Sequence, residues 1–133
     1  MTKEKTMNEH DKYNINLDIQ YKHQELIDIP SIVNSVQEKW SNRTLTKVND
    51  SVVRLGIVEG EFHWHKHDND DEFFFVLSGT LCIDIRENGS ERTVELNPNQ
   101  GITISKGIMH RPRAPQKTVM LMVETSEIQP TGD

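Results

Sequence analysis

Three histidines, His63, His65 and His67, alternate with other residues at the start of the stretch HWHKHDNDDEFFFVLSG, which then runs through an acidic loop to Glu72, an apolar run and Gly79. On an extended strand alternate side chains share a face, so the three imidazoles would point the same way. Neutral imidazole is the commonest metal ligand and suits Zn, Fe, Ni and Cu. Glu72, across a short loop, would add a carboxylate oxygen. Alternation puts Glu72, Phe74 and Val76 on one face and Phe73, Phe75 and Leu77 on the other. A carboxylate heading an apolar strand is costly to bury without a partner, and a cation would be one. The same residues also fit a solvated acidic loop beside an apolar strand, because histidine pairs at this spacing arise by chance. A calcium loop is excluded: the glycine its pattern needs is replaced by Phe73.

Such residues need a β framework to hold them, and the chain supplies strand signals from Arg43 onward. LTKV and SVVRLGIVEG carry β-branched residues bounded by Asn, Asp and Gly. Glu72 to Leu77 is too short an apolar run for a typical helix. LCIDIR alternates apolar and polar residues before Asn88-Gly89, a hairpin turn signal. TVEL, GITI and TVMLMVE follow. Strands at this spacing describe a sandwich or a closed barrel. Upstream, Pro30 suits a first helical turn, and Ile32, Val33, Val36 and Trp40 fall on one helical face. The pattern predicts one short amphipathic helix from Asp28, ending by Ser41 or Asn42 and covering an open end of the core. Residues 1–21 are polar without periodicity and are expected to be a flexible tail or an edge extension. The domain proper is expected over 22–133.

The 133 residues are the size of one domain, with 34% hydrophobic residues and a net charge of −6. That charge argues against nucleic acid and anionic membranes as partners, since phosphate binding needs a basic face. Apolar runs fall short of the roughly 18 residues of a membrane span. The opening MTKEKTMNEHDK lacks the apolar segment of a secretory signal. Cys82 is the single cysteine, so no intrachain disulfide can form. A cytoplasmic location is expected.

GITISKGIMH, ending at His110, turns at Lys106-Gly107 and delivers one more histidine. With this segment the chain resembles the cupin superfamily, in the manner of small single-domain cupins. The first cupin motif, His-x-His, three or four residues, Glu, six residues, Gly, maps onto His65, His67, Glu72 and Gly79. The second, Gly, five residues, Pro-x-Gly, two residues, His, maps onto Asn99, Ser105, Gly107 and His110, with Asn99 and Ser105 replacing the usual Gly and Pro. Thr131-Gly132-Asp133 also looks like the tail of a group of small cupins. The resemblance covers about Val52 to Glu124. It implies an all-β fold, a small jelly-roll β-barrel, and one divalent transition metal (Fe, Zn, Mn, Ni or Cu) held by His65, His67, Glu72 and His110.

Around this site, His63 is a catalytic candidate, as an acid/base or substrate contact, and equally a mouth-lining residue hydrogen-bonded to backbone. Glu72 is the other, as a base if it detaches. Phe62 and Trp64 are expected outside the barrel or at a dimer interface, with Phe73 and Phe75 joining them there. Arg111 and Arg113 are expected to point away from His110 towards solvent. Cys82 reads as a small buried residue, and Met109, Met120 and Met122 as adaptable fillers. The Asp68–Asp71 loop is expected to face solvent, or to orient an imidazole through one carboxylate. Two functional classes follow: a small-molecule enzyme, oxygenase-like or isomerase-like, or a metal-dependent binding and sensing module. Outward aromatics predict a homodimer.

Overall fold

The computed structural model of the chain describes residues 13–133, so the first twelve residues of the expected extension lie outside the described residues. Eight strands and one helix follow in order: β1 (Asn14–Asn16), α1 (Ile29–Ser35), β2 (Trp40–Val48), β3 (Ser51–Glu61), β4 (Glu72–Ser78), β5 (Leu81–Glu87), β6 (Ser90–Leu96), β7 (Gly101–Ile104) and β8 (Met109–Thr125). They form one sheet in the order β1-β2-β3-β8-β4-β7, from which β5 also pairs with β8 and carries β6. All neighbours are antiparallel except β1 and β2. The sheet curls into a jelly roll without closing into a hydrogen-bonded ring.

The 17-residue β8 organises this arrangement. Its first residues pair with β5, with His110 opposite Ile85. Its second half lies between β3 and β4, with Met122 opposite both Arg54 and Phe74. One strand therefore delivers His110 and joins the strands that flank it. Asn88 (φ 53°) and Gly89 (φ 75°) are both left-handed, which is the two-residue turn whose twist matches a hairpin. Asn99 (φ 68°), where the second cupin motif has glycine, takes the left-handed conformation as well. Asparagine tolerates that region better than most residues, so the substitution preserves the turn.

Apolar burial falls in two clusters. Phe74, Val76, Leu81, Ile83, Ile85, Met120 and Met122 fill the inside of the roll. Leu45, Leu55, Ile57 and Val119 lie on the outer sheet face, where Ile32 and Val36 of α1 cover them. The helix thus packs on the outer face rather than over an open end. It also stops at Ser35, since Val36 is already extended (φ −95°, ψ 126°). Trp40, expected on the helix, begins β2 and packs on Tyr13 and Phe62. Ser41, Asn42 and Arg43 pair with Ile57, Gly56 and Leu55. That ladder and the burial of Trp40 outweigh a helical continuation whose only signal was spacing. Tyr13 is buried in the inner cluster beside β1, so the described end of the extension lies on the sheet edge.

Gly79, between β4 and β5, has φ 84°, and a Cβ there would stand 2.6 Å from Thr118 Oγ1 and 2.7 Å from the Lys117 carbonyl oxygen. Gly89 (φ 75°) has open space around its Cα. Gly79→Ala is therefore expected to cost at least about 2 kcal/mol, and Gly89→Ala about 1 kcal/mol from backbone conformation alone. Urea unfolding of the two variants beside the wild type measures the difference.

Candidate metal centre

The ligand-rich segment does not continue the sheet. β3 bends at a bulge between Val58 and Gly60 (φ 108°) and ends at Glu61. From there to β4 the chain meets β8 through Phe62 N–H, which donates to the Pro112 carbonyl at 3.0 Å, and through an isolated bridge, His65 to His110. Two backbone hydrogen bonds make that bridge, at 3.0 and 2.9 Å. It fixes two of the four motif residues against each other through main chain. Glu72, first residue of β4, is opposite Ile104, the last residue of β7 before the Lys106-Gly107 turn. Gly107 N–H in turn donates to the His67 carbonyl at 2.7 Å, closing the frame.

His65, His67, Glu72 and His110 converge: one ligand atom from each lies within 4.8 Å of the others, and all four residues are buried. Atoms bound 2.0–2.2 Å from one ion would be about 3–4.4 Å apart, so the group would need to contract by only a few tenths of an ångström. Nδ1–H of His65 donates to the His63 carbonyl (3.0 Å), and Nδ1–H of His110 donates to the Ile108 carbonyl (2.9 Å). Each bond fixes the tautomer and leaves Nε2 as the nitrogen with a free lone pair. Glu72 Oε1 lies 3.3 Å from His110 Nε2 and 3.4 Å from His67 Nε2. Both ring nitrogens of His67 are buried without a hydrogen-bond partner. A cation among these atoms would satisfy His67 and offset the charge on Glu72, so the four residues could hold a metal ion. Burial, followed by the nearby His110, pushes the His65 imidazole down to about 3, which keeps it in the neutral form a metal requires. Burial would raise the Glu72 carboxyl, but the His110 and His67 imidazoles beside it hold it below the usual range.

Residues the motifs do not contain share this interior. Arg54 of β3 and Glu124 of β8 are 2% and 3% exposed, and Arg54 Nε lies 2.6 Å from Glu124 Oε1. The angles are not those of a good hydrogen bond, so the pair is ionic rather than directional. Burial together with the nearby Glu72 charge pushes the Glu124 carboxyl well up. Alternation along β3 puts Arg54 on the face of Val52 and Val58; that signal was available, but an arginine between apolar residues reads as solvent-facing. Asn42 of β2, 8% exposed, is a further inward polar residue, hidden by the helix expected over it.

Beside the group lies a cavity of about 20 Å³, lined by His65, Glu72 and Asn42 together with aromatic, methionine and proline side chains. That is room for about one water. Pro130, from the segment after β8, forms part of its wall. This segment is tied to the histidine stretch: Asp133 N–H donates to the Lys66 carbonyl at 2.9 Å, and its Oδ2 accepts from Asp68 N–H at 2.6 Å. A Cβ on Gly132 would stand 2.5 Å from the His65 Cβ.

His63 is outside the four-residue group. Its Nε2 meets the Thr131 carbonyl at 2.6 Å, and its ring stacks on Phe62. Phe62, expected outside, is 6% exposed in the inner cluster, because the chain leaves strand geometry after Glu61 and alternation no longer applies. Trp64 does face outward, with the Arg86 and Arg111 guanidinium carbons 4.3 and 5.2 Å from its ring centroid. Phe73 and Phe75 are half-buried on the outer face of β4, as alternation predicts. The acidic loop knits backbone and side chains: Asp71 accepts from Lys106 N–H, Asp70 from Thr125 Oγ1, and Asp68 pairs with Lys66. Cys82 is buried with a free thiol.

Arg111 and Arg113 point away from His110 but not into open solvent. Both hold Asp84 of β5: Arg111 Nε and Nη2 reach Oδ2 at 3.0 and 2.9 Å, and Arg113 Nε reaches Oδ2 at 2.8 Å. Thr93 Oγ1 donates to Oδ1 at 2.6 Å, and the residue is 6% exposed. The register explains this, since Asp84 is directly opposite Arg111.

A sequence model of the cupin domain matches residues 51–125. The protein YdbB of Bacillus subtilis (strain 168), itself uncharacterised, is 40% identical over 99 residues, 74% of this chain and 85% of its own. A cupin-2 domain protein from Shewanella frigidimarina has a similar structure at 32% identity, with a TM-score of 0.68 over 75% of this chain and 94% of that one. The conserved SPY1581 protein of Streptococcus pyogenes, of unknown function, matches at 25% identity and a TM-score of 0.63, over 79% and 90% of the two chains. Among the described residues no helix is long and apolar enough to cross a membrane.

The Arg113 hydrogen bond, aided by Thr93 and Arg111 and opposed by burial, holds the Asp84 carboxyl below the usual range. A depressed carboxyl adds stability above its unfolded value, near pH 4, and loses it as pH falls through the folded value. Asp84→Asn is expected to cost about 1–2 kcal/mol at pH 7. Unfolding series from pH 7 to pH 2 should show this gap narrowing below about pH 4. With the family's sequence model spanning more than half of the chain and the motif residues gathered inside a jelly roll, this chain belongs to the cupins.

Proposed function

We propose that this cupin binds one divalent transition metal through His65, His67, Glu72 and His110 and acts on a small molecule beside it. The observation that carries the reading is the buried group of four ligand atoms within 4.8 Å, two of its imidazoles fixed by backbone carbonyls. A bound metal would supply Lewis acidity, or electrons if it is redox-active. The chain's own residues do the rest. The main-chain bridge between His65 and His110 holds two ligands at fixed spacing. Apolar walls limit water to about one molecule. The Glu124–Arg54 pair backs Glu72 from the interior. The best reading of the chemistry is an oxygenase-like or isomerase-like reaction on a compact substrate.

The His63 contact with Thr131 supports a second reading, a metal-dependent binding or sensing module. That bond directs Nε2 at a carbonyl, leaving the site fewer groups for proton transfer. The half-buried Phe73 and Phe75 with the exposed Val123 support a homodimer through the outer face of β4 and β8. A reduced Cys82 suits the cytoplasm.

Elemental analysis of protein purified without chelator tests the metal directly. The wild type is expected to carry about one metal per chain, and His65→Ala and Glu72→Ala less than about a tenth of that. Oxygen uptake by the iron-loaded protein with small enols, thiols or keto acids would favour the oxygenase; ligand binding with no turnover would favour sensing. Wild-type protein that stays metal-free after supplementation would defeat both readings.

A further inference from the structure

We propose that Asn42 is the residue that selects the ligand of the metal cavity, its side-chain oxygen accepting a hydrogen bond from an O–H or N–H group of a compact molecule with an otherwise apolar body. Asn42 lies on β2, opposite Gly56 of β3 and far in sequence from either cupin motif. It is 8% exposed, and its Oδ1 is fully buried without a hydrogen-bond partner. It also lines the cavity that His65 and Glu72 line. Apart from those two, Asn42 is the one amide or charged side chain among the lining residues, which are otherwise aromatic, methionine or proline.

A buried carbonyl oxygen without a donor destabilises the fold, and an apolar side chain of similar size in its place would not. Asparagine therefore makes physical sense here when something in the cavity donates to it. Asn42 and the metal group share one cavity, so a molecule held at the metal through one end meets Asn42 with its other polar group. A site built around a hydrogen bond rejects analogues lacking the donor, because the amide is then left unpaired. The surrounding surface asks for an apolar remainder. Met120 and Met122 are unbranched and adaptable, so the cavity can widen for a few heavy atoms but not for a sugar or a nucleotide. The ligand class is a small chelating acid or ketone that keeps one hydroxyl or N–H donor free of the metal.

The chelating part of this assignment rests on the proposed metal site; the role of Asn42 does not. The experiment has two arms. First, metal-free wild type, Asn42→Leu and Asn42→Val are melted side by side. Removing an unsatisfied buried amide should raise the midpoint of at least one variant by about 3–6 °C. Second, cobalt-loaded proteins are titrated with acetohydroxamic acid and with N-methylacetohydroxamic acid, which chelate alike but differ in the N–H donor. Cobalt absorption reports binding. The wild type should prefer the N–H compound by about tenfold or more, and the variants should bind the two within about twofold. A preference that survives in both variants would overturn the assignment. If the wild type takes up no cobalt, the metal reading fails separately and the melting arm decides for Asn42: midpoints equal to or below wild type in both variants would then sink it.

Discussion

The inside of this jelly roll contains two carboxylates, Glu72 and Glu124, in surroundings of phenylalanine, methionine and isoleucine. Burying an unpaired charge in such a medium costs several kcal/mol, so every other polar choice in the interior answers to that constraint. Arg54 compensates one carboxylate. The remaining charge falls to Glu72 and the imidazoles around it, an arrangement that a divalent cation would complete. Substitutions at Arg54 or Glu124 would therefore act on the four ligand candidates through the charge left uncompensated behind Glu72.

Much of the fold is legible in the chain because strand periodicity and turn chemistry are local signals. The Asn88-Gly89 hairpin, the two faces of β4 and the strand succession from β3 to β8 all follow from residues adjacent in sequence. What fails is spacing that suits two periods at once. Ile32, Val36 and Trp40 fit a helical face, but the segment from Trp40 has a better use as a partner strand between β1 and β3, a contact with no local signature. The position of α1 on the outer face is equally non-local, set by the apolar stripe of Leu55 and Ile57.

The candidate site divides along the same line. Its four ligand candidates are legible because their types and spacing carry the chemistry. Their support is not, since it comes from cross-strand neighbours. Asp84 opposite Arg111, and Arg54 reaching Glu124, are matters of register that a single strand does not reveal. Phe62 lies inside, against its alternation, because strand geometry ends with β3, where the bulge before Gly60 has already turned the chain.

The docking of Asp133 on the backbone of Lys66 has a practical corollary for handling the protein. Lys66 is flanked by His65 and His67, so a hexahistidine affinity tag added directly after Asp133 would begin next to the four ligand candidates. Its imidazoles would be held at high effective concentration there, competing for any ion that the four residues bind or bridging to it. Metal content measured on such a fusion would describe the tag together with the protein, and nickel leached from a purification resin would have a ready second anchor. A removable tag, with the stoichiometry measured after cleavage, reports the site alone.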